Sequence, residues 1–148
     1  MPIILTKGDI FKSGAQALVN PVNTVGVMGA GLALQFKVHF PEMFAIYRNA
    51  CRLGQVRIGE VSPIIVAGSK YVLNFPTKKS FLDPSKLEYI ITGLKDLVVI
   101  VEDLKIKSIA IPALGSGLGQ LQWKDVKPLI VQAAEKMEGV EVFIYEPR

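Results

Sequence analysis

Apolar residues in this chain come in short continuous runs that alternate with longer stretches of helical spacing. Ile3-Ile4-Leu5, Ala15–Val19, Ser108–Pro112 and Val140–Tyr145 read as strands. Ser108–Pro112 is apolar on both faces and is expected to be central and parallel. Val61–Val66 and Lys70–Phe75 predict two further strands joined at Gly68-Ser69, a hairpin signal. A helix is expected from about Gly31 to His39, broken at Phe40-Pro41 because the residue before proline avoids the α region. Pro41 suits the first turn of a second helix, Glu42–Arg52, closed by Gly54. From Leu87 to Leu104 the apolar positions keep helical spacing, and Ser85 with Glu88 has capping-box spacing, so a helix is expected to start near Ser85. The last helix runs from about Trp123 to Met137. No repeat, low-complexity segment or linker interrupts the pattern. The expected fold class is α/β, a three-layer α/β/α sandwich in one domain, 1–148, with a central sheet that the hairpin makes mixed.

Composition narrows the chemistry. Half of the 148 residues are apolar, which excludes a disordered chain. No apolar run reaches membrane-span length, and Met1-Pro2-Ile3 does not open a signal peptide. Cys51 is the only cysteine, so an intrachain disulfide and a cysteine-based metal cluster are excluded, and a cytoplasmic protein fits. With His39 the only histidine, every Ser/His or Cys/His scheme not built on that residue is removed. The net charge of +4 permits an anionic ligand or nucleic acid without demanding either. No metal-ligand cluster or paired carboxylates at useful spacing stand out, and no cofactor is expected.

Two glycine-rich turns carry the strongest functional signal. Asn20–Leu34 leads from a strand into a helix and contains Gly26, Gly29 and Gly31; Gly115-Ser116-Gly117-Leu118-Gly119 occupies an equivalent position later. Backbone N–H groups at a helix start bind anions, and glycine lets the backbone approach a phosphate closely. Neither turn matches a P-loop or a dinucleotide fingerprint. Either alone is equally explained as a tight turn. Two at matched positions favour a diphosphate held between them. Ligands in such sheets sit outside the carboxyl ends of the strands, and Asn20–Gly31, Phe75–Lys79 and Pro112–Gly119 all follow strand ends.

Single side chains follow. Asn20 and Asn23 flank a proline turn; Asn20, ending the strand, is read as structural, and Asn23 as the contact to a sugar hydroxyl. Lys78 and Lys79 leave a strand end beside the expected rim. A lysine near apolar groups such as Phe75 and Phe81 loses solvation, which makes its amine available as nucleophile or base; Lys78 is favoured, with Lys79 pointing elsewhere. Asp9 is either a turn carboxylate or helix cap, or an acceptor for an exocyclic amine. His39, Cys51 and Trp123 read as a helix-end, a part-buried and a packing residue.

Gly8-Asp9-Ile10, Ala17–Asn23, Gly29–Ala33 and Gly115–Gly119, in that order across the whole chain, resemble a macro domain. The resemblance implies an α/β/α fold that binds ADP-ribose. Asp9 and Ile10 would then recognise adenine, Gly29, Ala30, Gly31 and Gly115–Gly119 the diphosphate and distal ribose, Asn23 that ribose, and Tyr145 the adenosine end. Asn23–Lys37 and Asn74–Lys78 are similar to the DarG-type antitoxin, a DNA ADP-ribosyl glycohydrolase that removes ADP-ribose from thymidine in single-stranded DNA and reverses the DarT toxin. That resemblance puts the important lysine at Lys78. A related branch acting on protein glutamate carries an aspartate where this chain has Gly119. The implied catalytic residues are Lys78 and Asn23. The implied contacts are Asp9, Ile10, Asn20, Met28, Gly29, Ala30, Gly31, Leu32, Thr77, Gly115, Ser116, Gly117, Leu118, Gly119 and Tyr145, with Phe75 and Lys79 toward the base and strand. Expected partners are ADP-ribose or ADP-ribosylated single-stranded DNA and a DarT-type toxin, with no membrane. DarG-type proteins often carry a toxin-binding region after the macro domain; this chain ends at Arg148. A non-catalytic ADP-ribose reader, a hydrolase of ADP-ribose esters and a general nucleic-acid binder remain as alternatives.

Overall fold

The computed structural model describes residues 2–147; Met1 and Arg148, the outer ends of the expected domain, lie outside the described residues. Among the described residues six strands form one sheet: β1 (Ile3–Thr6), β2 (Ala17–Val22), β3 (Ser62–Ile65), β4 (Tyr71–Pro76), β5 (Ser108–Ile111) and β6 (Glu141–Tyr145). Their spatial order is β1-β6-β5-β2-β4-β3. All neighbours are parallel except β3, which runs antiparallel to β4. The hairpin expected at Gly68-Ser69 therefore makes the sheet mixed. Pro63 lies in β3, at the edge, where a missing N–H costs no ladder bond.

The two faces of the sheet follow the period-two alternation of strand side chains. Ala17, Val19, Leu73, Phe75, Ile109, Ile111, Val142 and Ile144 pack under α3 (Leu87–Asp103) and α4 (Trp123–Glu135). Leu18, Val22, Val72 and Ala110 pack under α1 (Gly31–His39) and α2 (Pro41–Arg52). This is the expected three-layer α/β/α sandwich. Gly93, inside α3, faces Phe75: a Cβ at that position would run into the ring. Glycine in a helix interior costs about 1 kcal/mol. Seating a phenylalanine in the core contributes about 1.5–3 kcal/mol, so the exchange favours the fold.

Element ends shift by a residue or two from expectation, and three local departures have identifiable physical reasons. β2 continues through Asn20-Pro21-Val22, because Asn20 lies in register with Asn74 of β4 and donates its amide to the Asn74 side-chain oxygen at 3.0 Å. Ser85 does not cap α3. The helix begins at Leu87 behind Lys86, without a side-chain cap. Instead the Ser85 N–H donates to the Gly119 carbonyl at 3.0 Å, and its hydroxyl is buried without a partner. Finally, the Gly8-Asp9 turn continues into a 3₁₀ turn, Ile10–Lys12, where the Asp9 side chain accepts from the Phe11 N–H at 3.0 Å.

Because β1, β6, β5, β2 and β4 are parallel, their carboxyl ends share one rim. The segments after Thr6, Val22, Pro76, Ile111 and Tyr145 meet there, as the strand-end pattern predicts.

Candidate functional site

A cleft of about 1190 Å³ opens along that rim. Asp9, Ile10, Asn23, Gly29, Ala30, Gly31, Leu32, Thr77, Lys78, Gly115, Ser116, Gly117, Leu118, Gly119 and Tyr145 all line it. Asn20 and Met28, expected among the ligand contacts, do not. Asn20 is fully buried on the α1/α2 side of the sheet, and Met28 is turned inward with its sulfur 3.9 Å from the Asn20 amide nitrogen. Phe75 is likewise spent in the core, its ring against Gly93.

The first glycine turn is shaped by Asn23. Its side-chain oxygen accepts from the N–H groups of Val25 (3.1 Å) and Val27 (3.3 Å), and its amide donates to the Val27 carbonyl at 2.8 Å. The Tyr47 hydroxyl, from α2, lies 2.7 Å from the same side-chain oxygen and 2.8 Å from the Asn23 carbonyl. Burial pushes the Tyr47 hydroxyl far above the ordinary tyrosine value, with Cys51 beside it adding to the shift, so it remains a donor. An asparagine amide has two N–H groups, so one stays available to a ligand. Ala30 gives α1 no side-chain cap, and its first-turn N–H groups are open to an anion.

The second turn approaches the first. Gly31 (φ +58°) leaves room for Leu118, whose Cδ1 is 3.2 Å from where a Cβ would lie. Gly115 (φ +71°) accepts from the Leu121 N–H at 2.8 Å, and the Ser116 hydroxyl donates to the Leu114 carbonyl at 3.4 Å. Gly119 packs so closely that a Cβ would meet the Ser85 hydroxyl oxygen at 2.5 Å and the Gly115 carbonyl oxygen at 2.6 Å.

Lys78 lies two residues past the end of β4 and lines the same cleft as these turns. The Thr77 N–H donates to the Val22 carbonyl at 2.8 Å, and Thr24 donates to the Lys79 carbonyl through its N–H (3.2 Å) and its hydroxyl (2.7 Å). These bonds fix the exit of β4 against the exit of β2. The Lys78 ammonium donates to the Phe81 carbonyl at 3.3 Å. Of the two expected apolar neighbours only Phe81 is at the cleft; Phe75 faces α3. The Lys79 side chain is exposed and outside the cleft lining.

At the far end, Tyr145 faces Asp9: burial, then the Asp9 charge, raises the Tyr145 hydroxyl above its ordinary value. Glu146, not anticipated from sequence, also lines the cleft. It accepts from the Trp123 indole N–H at 3.1 Å and pairs with Lys127 at 3.0 Å, which holds its carboxyl below the usual range. Trp123 thus ties the start of α4 to the cleft rim as well as packing. His39 stacks on Phe11, away from the cleft lining. Among the described residues no three His, Cys, Asp or Glu side chains are grouped to hold a metal, and no helix is long and apolar enough to cross a membrane.

The macro domain family model matches residues 19–130. A DNA ADP-ribosyl glycohydrolase of Thermus aquaticus is 49% identical over 146 residues, covering 95% of this chain and 40% of that protein. This chain spans about two fifths of the length of the curated relatives it matches most strongly. The macrodomain of Mycobacterium tuberculosis DarG superposes with a TM-score of 0.97 at 45% identity, over 99% of this chain and 98% of that one. Thermosipho africanus DarTG, solved in complex with ADP-ribose, superposes with a TM-score of 0.92 at 36% identity, over 99% of this chain and 42% of that one. The matched residues run from inside β2 through the second glycine turn, and with the near-complete superposition they establish that the chain belongs to the macro domain family, among the DarG-type macrodomains.

Proposed function

We propose that this chain is an ADP-ribosyl glycohydrolase that releases ADP-ribose from thymidine in single-stranded DNA and so reverses a DarT-type toxin. The observation that carries this reading is that Lys78, two residues past the end of β4, lines the same cleft as both glycine turns. The whole of 1–148 acts as one macro domain, and a cytoplasmic location fits its single cysteine.

In this reading ADP-ribose lies along the rim. Asp9, Ile10 and Tyr145 hold the adenosine end, and the N–H groups of the two glycine turns hold the diphosphate. Asn23 presents its remaining amide N–H to the distal ribose. The anomeric carbon then faces Lys78, and much of the rate comes from that positioning. Two routes break the N-glycosidic bond. The Lys78 amine, once deprotonated, attacks the anomeric carbon while the base leaves with the bonding pair and takes up a proton; water then releases the lysine. Alternatively the ammonium donates to a carbonyl of the departing base while water attacks. Gly119 supports the DNA branch over the glutamate branch. An aspartate there would need the Gly115 backbone to move.

The reading is tested by offering the protein two substrates, an oligonucleotide with one ADP-ribosylated thymidine and a peptide with one ADP-ribosylated glutamate. Preferential release from the oligonucleotide is expected. Equal turnover of both would overturn the substrate assignment, and affinity for DNA that falls with salt and ignores ADP-ribose would mark a general nucleic-acid binder.

A further inference from the structure

Two exposed apolar side chains stand at the mouth of the cleft on the lysine side: Phe81, 53% exposed, and Leu82, 82% exposed. Both belong to the connection between β4 and α3 that begins at Thr77. Large apolar groups left in water are informative when they border a functional cleft rather than lie scattered. Phe81 is also tied to the chemistry, because its carbonyl accepts from the Lys78 ammonium at 3.3 Å. The same connection carries Lys79, exposed, and Lys86, against one acidic residue, Asp83.

The rest of the cleft is already committed. Asp9 and Tyr145 are at one end and the glycine turns are in the middle, so a group beyond Lys78 is the leaving group of the reaction. A nucleobase has flat faces that stack on an aromatic ring, and its strand carries phosphates that suit exposed lysines. A carboxylate leaving group has no such face.

Resting on the glycohydrolase reading above, we infer that Phe81 is the stacking platform for the base from which ADP-ribose is released, with Leu82 as its apolar flank. Phe81 is then a specificity-determining residue. It contributes to recognition of base-linked ADP-ribose and not to recognition of ADP-ribose itself. This is the role expected for Phe75 from sequence, moved to a ring that reaches the cleft.

The test is equilibrium binding in a Lys78→Ala background, where substrate is not consumed. The two probes are ADP-ribose and a single-stranded oligonucleotide carrying one ADP-ribosylated thymidine. Adding Phe81→Ala is expected to weaken the oligonucleotide about tenfold, the size of one lost base–aromatic stack, and to leave ADP-ribose affinity unchanged. Phe81→Trp is expected to keep the oligonucleotide affinity. Equal weakening of both probes would make Phe81 a prop for its loop, and no weakening of either would remove it from recognition; each result overturns the inference. Release of ADP-ribose by the unsubstituted protein is measured separately on the same oligonucleotide. Its failure would sink the glycohydrolase reading, while the binding comparison still decides the platform.

Discussion

The Tyr47 hydroxyl sits 2.7 Å from the side-chain oxygen of Asn23, so a buried residue of α2 holds the first glycine turn in shape. Tyr47→Phe keeps the packing and removes one buried donor. It is expected to cost about 1–3 kcal/mol and to lower ADP-ribose affinity as the turn after Asn23 loosens. Denaturant unfolding and titration calorimetry check the two effects; unchanged affinity would show that the turn keeps its shape without the hydroxyl.

The same hydroxyl sets an alkaline limit. Its native value lies far above the ordinary 10.0, because burial disfavours the phenolate. Its contribution to stability is therefore complete below about pH 10 and declines as pH rises beyond that, where the unfolded chain ionises and the native one does not. Unfolding midpoints followed from about pH 8 to 11 should show that decline in the unsubstituted protein and a shallower one in Tyr47→Phe. Identical slopes would contradict the assignment.

Ser85 and Gly119 allow a sharper pair of expectations. Gly119→Ala forces a methyl group against the Gly115 backbone, and overpacking of this kind costs about 1–3 kcal/mol. Loss of ADP-ribose binding should accompany it, since the displaced residues form the second turn. Ser85→Ala goes the other way. The hydroxyl is buried and has no partner, so its removal is expected to be neutral or slightly stabilising. A clear drop in the denaturant midpoint of Ser85→Ala would reveal a bond that the structure lacks.

Trp123, the one tryptophan, offers a spectroscopic report on the cleft rim. Glu146 is held below its ordinary value of 4.5, first by the indole N–H and then by Lys127. Its contribution is present above the unfolded value and is lost as pH falls through the native one, so indole emission should step below about pH 4.5. Glu146→Gln keeps an acceptor for the indole and removes the titration. Persistence of the step in that variant would assign it to another group.

Much of this site was legible because its signals are local. The glycine turns, the strand ends and the lysine after β4 are each visible within a few residues. The misplaced residues depend on partners far away in sequence. Asn20 looked like the end of a strand, yet Asn74, its in-register neighbour, carries the strand onward and turns the amide away from the cleft. Ser85 had capping spacing, but Gly119 claims its N–H. Phe75 was expected toward the base, yet it shares a sheet face with Leu73, and its ring fills the space that Gly93 leaves in α3. Tyr47 shares an apolar helix face with Met43, and nothing local marks its hydroxyl as the support of Asn23.

The most direct measurement is release of ADP-ribose from a single-stranded oligonucleotide bearing one ADP-ribosylated thymidine, by the unsubstituted protein and by Lys78→Ala, with ADP-ribose affinity measured for both. Release is expected from the first and a loss of about 100-fold or more in the second, at unchanged affinity, as befits a group that acts in the chemical step. Tight binding of ADP-ribose by both proteins with release by neither would contradict the account and leave a reader of ADP-ribose in place of an enzyme.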